Sequence, residues 1–294
     1  MLLNMKCTME ELATAELNEF VDKRGVEDAT SVTFGDYTII ECVSDNEQGK
    51  VCVAEHSTSS QKIVLKFMRL CSCEGTVSDK RRARAQQEIQ VLSSAKHPNI
   101  VQYYGSLETP RFVVLALEHL EEDTLLDFMR MRHRLDEKKA RVLFKQLVSA
   151  MDYLHSHNIV HNNLKMSQIV LKNKKEIRLV GFLSSKKFEW TSEMDPAVAL
   201  SFTAAPEMIN GVKYTGPEVD IWSMGIVLYY ILCGKRPFDG ASFKIVSSKI
   251  TTGKFSLPDY LSEEAKDLLT GMLTVDKKLR IKMADVLAHP WITM

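Results

Sequence analysis

Between Phe34 and about Leu120 the apolar residues come in short β-branched runs, Tyr37 to Ile40, Val51 to Ala54, Ile63 to Phe67 and Phe112 to Leu117, separated by polar turns. Runs of that length and composition predict strands. One intervening stretch, Ser78 to Ala95, reads as a helix, and its Lys80, Arg81, Arg82 and Arg84 form the charge run of a solvated helix face. After Leu120 the period turns helical and stays so, over Leu125 to Met131, Lys138 to His157, Val219 to Cys233, Ser262 to Leu273 and Met283 to Ala288. The pattern therefore predicts an α+β chain with a β-rich part, residues 34–120, and a larger helical part, residues 121–292. No internal repeat or low-complexity segment interrupts it.

Residues 1–33 stand apart as a helix and linker. Thr8-Met9-Glu10-Glu11 has the form of a capping box, and Ala13, Leu17, Phe20 and Val21 then recur as a helical stripe. The simplest expectation is a helix packed on its own domain. The N-terminal residues form no continuous apolar run, so neither a leader nor a membrane span is predicted. The chain carries 38 Lys plus Arg against 38 Asp plus Glu, which argues against nucleic acid and anionic membranes as partners. Its six cysteines, Cys7, Cys42, Cys52, Cys71, Cys73 and Cys233, fall at no spacing that suggests a disulfide framework or a zinc site, so structural thiols are expected. A reducing, intracellular location follows as an expectation: the cytoplasm, with the nucleus also open to it.

The candidate chemistry lies between His155 and Leu183. His161-Asn162-Asn163-Leu164-Lys165, with Gln168 three residues on, has the spacing of an H-R-D-L-K-x-x-N loop, and Gly181-Phe182-Leu183 follows at the spacing of a D-F-G. Upstream, Ile63-Val64-Leu65-Lys66 sits on a predicted strand, and Glu88 on the next helix could hold the Lys66 ammonium toward phosphates. His97-Pro98-Asn99-Ile100-Val101, Ala205-Pro206-Glu207, Asp220-Ile221-Trp222-Ser223-Met224-Gly225, Arg280 and His289-Pro290-Trp291 complete the set. Together these resemble the eukaryotic protein kinase domain over residues 35 to 292. Residues from Ala204 onward are similar to the catalytic subunits of AMP-activated and sucrose-nonfermenting serine/threonine kinases.

That resemblance implies a bilobal fold, with a small antiparallel β-rich N-lobe and a larger α-helical C-lobe. It implies a spine through Leu92, His161 and Phe182 anchored on Asp220, and a Glu207 to Arg280 ion pair. It places Ser44, Asn46, Gly49, Val51, Val64, Lys66, Glu88, Leu117 and Val170 around a nucleotide. It gives the general base position to Asn163, a second catalytic position to Lys165, and the metal-ligand positions to Gln168 and Gly181.

The residues depart from the family where phosphate chemistry happens. Asn163 cannot accept a proton as a carboxylate does, a loss of about 10² to 10⁴ in rate. Gly181 offers no side-chain oxygen to a hard cation and Gln168 is a methylene too long, so no metal is expected at those positions. The hairpin Ser44-Asp45-Asn46-Glu47-Gln48-Gly49 keeps one glycine, and Asp45 and Glu47 should repel a triphosphate. Val64 narrows the adenine position. Asn162 replaces the arginine, and Pro196 the threonine, of an activation switch. The expectation is a pseudokinase acting as a scaffold or allosteric partner. ATP would bind weakly and without Mg, and the partners would be other proteins, such as an active relative, its regulatory subunits or its substrates. The alternative is a divergent active serine/threonine kinase using Asp45 or Glu176 as a substitute metal ligand.

Overall fold

The computed structural model describes residues 19–21, 32–47, 49–70, 78–121, 123–195 and 201–294. They divide into two compact units, one comprising residues 1–96 and 101–121, the other residues 97–100 and 122–294. Strands of the first and helices of the second make the class α+β.

The first unit is a six-stranded antiparallel sheet in the order β1-β2-β3-β4-β6-β5. The strands are β1 (Thr33–Phe34), β2 (Tyr37–Asn46), β3 (Gly49–His56), β4 (Lys62–Arg69), β5 (Tyr103–Glu108) and β6 (Phe112–Glu118). β6 is nearly all apolar because it lies between β4 and β5, whereas β5, YYGSLE, is a half-buried edge that alternation alone does not reveal. Helix α1 (Asp79–Ser94) starts where the Ser78 side chain accepts from the Arg81 amide. Its Arg82 pairs with Glu108 of β5, so the basic run serves the unit's surface. One face of the sheet holds the core: Ile39, Cys42, Cys52, Ile63, Leu65 and Phe67, with Phe112 and Phe34 edge-on to Phe67.

One expectation is met here and one is corrected. Phe20 and Val21 join this core, Phe20 at 5.7 Å from the Phe67 ring, so this part of the N-terminal stripe packs on its own domain. The Thr8 capping box, Ala13 and Leu17 lie outside the described residues. Cys42 and Cys52, expected as thiols, are paired residues of β2 and β3 and form a disulfide. The pair lies between two register shifts in β2, and the one between Cys42 and Ser44 sets its register from the turn, which the spacing of ten residues does not disclose. Cys233 is a free, partly buried thiol, and Cys7, Cys71 and Cys73 lie outside the described residues.

The second unit is built on α3 (Glu137–Ser156) and α5 (Pro217–Cys233). α3 begins at Asp136, whose carboxylate accepts from the Lys139 amide, and buries Ala140, Leu143, Phe144, Leu147, Val148, Met151 and Leu154 at helical spacing. α5 is apolar on nearly every side and is buried accordingly. It stops at Gly234, in the left-handed region at φ 70°, where a Cβ would stand 1.7 Å from the His133 carbonyl oxygen. α2 (Leu125–Arg130), α4 (Pro206–Ile209), α6 (Phe243–Thr252), α7 (Glu263–Met272), α8 (Met283–Ala288) and α9 (Pro290–Thr293) complete the helices. α4 and α9 are only four residues long, and α6 buries only Val246 and Ile250, so none of them shows a period. Two small ribbons, β7 (Ile159–Val160) with β10 (Lys186–Lys187) and β8 (Ile169–Lys172) with β9 (Glu176–Leu179), frame the segment carrying the motifs. No helix among the described residues is long and apolar enough to cross a membrane.

Candidate functional site

In the first unit the sheet face opposite the core gathers the predicted nucleotide residues. The register sets Ser44 against Val51, Val51 against Lys66, and Val64 between Val53 and Leu117. Residues two apart on a strand share a face, so Val51, Val64, Lys66 and Leu117 lie together there. Lys66 Nζ donates to both Glu88 carboxylate oxygens at 2.7 Å; its side chain is 21% exposed and that of Glu88 only 1%. A carboxylate so buried demands its cation.

The hairpin between β2 and β3 does not carry the Asp45 charge toward that face as the sequence suggested. The Asp45 carboxylate lies 2.8 Å from the Arg69 guanidinium, with both side chains under 10% exposed. Arg69 also donates to the carbonyls of Val21 (2.7 Å) and Asn46 (2.5 Å). Asp45 is neutralised inside the unit and repels nothing; Asn46 and Glu47 are exposed at the tip. The retained glycine also has a local explanation. A Cβ on Gly49, at φ 148°, would sit 1.7 Å from the Phe67 carbonyl oxygen, so the β3–β4 pairing itself requires glycine there.

In the second unit the loop is anchored by Asp220. This fully buried carboxylate accepts from the amides of His161 (2.8 Å) and Asn162 (2.9 Å) and from His155 Nε2 (2.9 Å). His161 and Phe182 are both wholly buried, with ring centroids 5.1 Å apart. Leu92 is buried in the first unit. Arg280 grips Glu207 through two bonds of 2.7 and 2.9 Å, and donates to the carbonyls of Thr274, Val275 and Glu218. Asn162 adopts φ 65°, which asparagine tolerates, and its side-chain oxygen accepts from Tyr214 Oη at 2.9 Å. An uncharged bond therefore occupies the place of a phosphate-receiving cation; Pro196 lies outside the described residues.

The chemical positions are arranged as follows. Asn163 is half-buried and Lys165 exposed. Val170 is buried on β8, bridged to Thr124. Gln168 is 9% exposed and folds over Gly181: its Nε2 donates to the Gly181 carbonyl at 3.3 Å, and its Oε1 is buried without a partner among the described residues. Gly181 has φ 81°, and a Cβ there would meet Gln168 Nε2 at 2.7 Å, Cγ at 2.8 Å and Cδ at 3.0 Å. The space in which a residue-181 side chain would project is filled by the side chain of residue 168.

These residues do not fit a magnesium ion. The cation takes hard oxygens, usually carboxylates. Here a single amide oxygen is present, and among the described residues no cluster of three His, Cys, Asp or Glu could hold a metal. The proposed substitutes fail on position, since Asp45 is bound to Arg69 and the Glu176 side chain is 55% exposed beside Arg178. The Lys66–Glu88 ion pair, by contrast, is fully formed.

The protein kinase domain model matches residues 37–292. The chain belongs to the protein kinase family. It is similar to serine/threonine members: 33% identical over 262 residues to the probable serine/threonine-protein kinase MARK-A of Dictyostelium discoideum, covering 89% of this chain and 24% of that protein. It is likewise 33% identical over 255 residues to the SNF1-related protein kinase catalytic subunit alpha KIN12 of Arabidopsis thaliana, covering 87% and 51%. The carbon catabolite-derepressing protein kinase of Candida tropicalis is 33% identical over 257 residues, covering 87% and 41%. The chain spans between a quarter and about half of the length of these curated relatives. As a kinase-family chain it keeps the architectural contacts, Asp220 to the loop and Glu207 to Arg280, and the Lys66–Glu88 pair. Three residues the sequence reading missed do as much to shape the site. Arg69 clamps the hairpin, Tyr214 holds Asn162, and His155 shares Asp220. Of these, only Arg69 left a trace in the sequence, as a cation closing a strand whose interior is apolar apart from Lys66.

Proposed function

We propose that this kinase-family chain transfers no phosphate and works by binding, as a scaffold or allosteric regulator in signalling. The observation that carries the reading is the Gln168 side chain lying over Gly181, in the space from which a metal-binding carboxylate would project. Asn163 at the general-base position points the same way, because loss of a positioned base alone removes about 10² to 10⁴ in rate. The partners are other proteins. The names of the similar chains, among them an SNF1-related catalytic subunit, favour an active relative, its regulatory subunits or its substrates. The place of action is the cytoplasm or nucleus.

The intact Lys66–Glu88 pair favours a second reading, in which ATP binds weakly and without Mg as an allosteric ligand. Thermal-shift titration of ATP, with and without Mg²⁺ or Mn²⁺, beside a radiolabel transfer assay on a generic protein substrate, separates the readings. A metal-independent shift marks a nucleotide sensor, and no shift a pure binding module. Metal-dependent transfer lost in Lys66→Ala would overturn both and establish a divergent active kinase.

A further inference from the structure

The disulfide of the first unit lies on the sheet face opposite the predicted nucleotide residues. Cys42 and Cys52 stand directly opposite each other in the β2–β3 register, with Cα atoms 3.9 Å apart. We propose that this pair is a reversible thiol–disulfide exchange site, opened by a dithiol or by glutathione-type thiols, and that its bond keeps Phe20 and Val21 seated on the sheet.

The backbone makes the exchange reversible. Strand pairing holds opposite side chains within about 5 Å of each other, so the two thiols remain neighbours after reduction and can re-form the bond. The cytoplasmic or nuclear location proposed above adds to this, because disulfides in a reducing compartment are usually transient. Cys42 is 8% exposed and Cys52 wholly buried, which sets the order of events. An incoming thiolate bonds to the Cys42 sulfur, the bond between the cysteines breaks, and Cys52 leaves as a thiolate that takes a proton. A second thiol of the reductant then displaces the Cys42 sulfur, which is protonated in turn. Two electrons and two protons have passed to the pair, and the reductant ends as a disulfide.

The bond matters locally because β2 is irregular on both sides of it. Register shifts fall between Ile39 and Glu41 and between Cys42 and Ser44, so only Glu41 with Val53 and Cys42 with Cys52 pair between them. Across a ladder interrupted twice, the covalent bond is what holds the strands together. Beyond the second shift lies the hairpin tip, where the Arg69 guanidinium grips Asp45, the Asn46 carbonyl and, at 2.7 Å, the Val21 carbonyl. Lys50, paired opposite Asp45, sets its ammonium 4.2 Å over the Phe20 ring, which also meets Phe67 edge-on. Cys42, Cys52, Phe20 and Val21 belong to one buried cluster. Loosening the hairpin therefore loosens the Arg69 and Lys50 contacts that hold the N-terminal residues.

The test incubates the folded full chain in glutathione buffers of graded thiol-to-disulfide ratio. Thiols are trapped by acid and alkylation for peptide mapping, and hydrogen exchange is followed by mass spectrometry. The pair should pass between its two states within that range while the protein stays folded. Exchange in the peptide carrying Phe20 and Val21 should quicken about tenfold or more in the reduced form, with the second unit unchanged. Because coupling is reciprocal, Phe20→Ala should shift the ratio at half-oxidation about fivefold toward easier reduction. Cys42→Ala with Cys52→Ala should exchange like the reduced parent in every buffer. The proposal is overturned by a bond that yields only after unfolding, by exchange at Phe20 and Val21 that ignores the redox state or stays slow in the alanine pair, or by an unmoved ratio in Phe20→Ala. Observed phosphotransfer would refute the binding-only function and leave these measurements untouched, so the two fail separately.

Discussion

Replacing Gly181 with Asp would return a carboxylate to the motif, and on its own it should damage the protein. A non-glycine residue at φ 81° costs about 1 to 2 kcal/mol. The new Cβ would enter the volume of Gln168, with Nε2 and Cγ inside 3.0 Å, so the buried amide must swing away and lose its bond to the Gly181 carbonyl, about 1 to 3 kcal/mol more. The sum, about 2 to 5 kcal/mol, corresponds to roughly 3 to 8 °C in Tm for a chain of this size. Gln168→Asn alone removes one methylene and should cost about 1 kcal/mol. In the double variant the shorter amide vacates the space, and the loss should fall below the sum of the single losses by at least about 1 kcal/mol. Urea and thermal unfolding of the four proteins closes the cycle. Additivity within about 0.5 kcal/mol, or a Gly181→Asp protein as stable as the parent, would refute the steric reading. ATP with Mg²⁺ should raise the Tm of the double variant alone.

Lys66→Ala leaves the Glu88 carboxylate buried and unpaired, and should destabilise the first unit by about 3 to 5 kcal/mol; Lys66→Met with Glu88→Leu should recover most of that in the same unfolding assay. Reducing the Cys42–Cys52 bridge should cost about 3 kcal/mol from the freed ten-residue span. Alkylation before and after reduction should differ by two thiols among these positions. Glu137 is pushed up by burial, but the bonds from the Ser262 amide and hydroxyl and from Trp291 Nε1 outweigh this and hold it below its ordinary 4.5. Its contribution is therefore complete above pH 4.5 and is lost as pH falls through the lower folded value; Glu137→Gln should flatten the acid limb of a denaturation profile read by Trp291 emission.

Helices with a buried stripe were legible because burial imposes a period: α3 and α7 lie within one residue at each end of what spacing alone predicts. α6 was not, since only Val246 and Ile250 are buried in it. At the site the residue types could be read but not their directions. Asp45 was read as facing a phosphate, yet it faces Arg69, because the hairpin's register turns it inward. Gln168 was read as a poor ligand, whereas it is also the occupant of its neighbour's space, a fact that exists only once Gly181 adopts its left-handed backbone. The Cys42–Cys52 pairing likewise waits on a register shift that no spacing displays.

Gly49 bears on how such a hairpin could be rebuilt for a nucleotide. Because the Phe67 carbonyl excludes any side chain at that position, the glycine would persist with or without phosphate nearby. It is thus silent about ligand history, and glycines introduced at Ser44 and Asn46 would find no partner in it by virtue of its presence alone. The Arg69 clamp would first have to be released, and with it the Val21 carbonyl and the Asp45 side chain. The hairpin has become a joint between the sheet and the segment that precedes it.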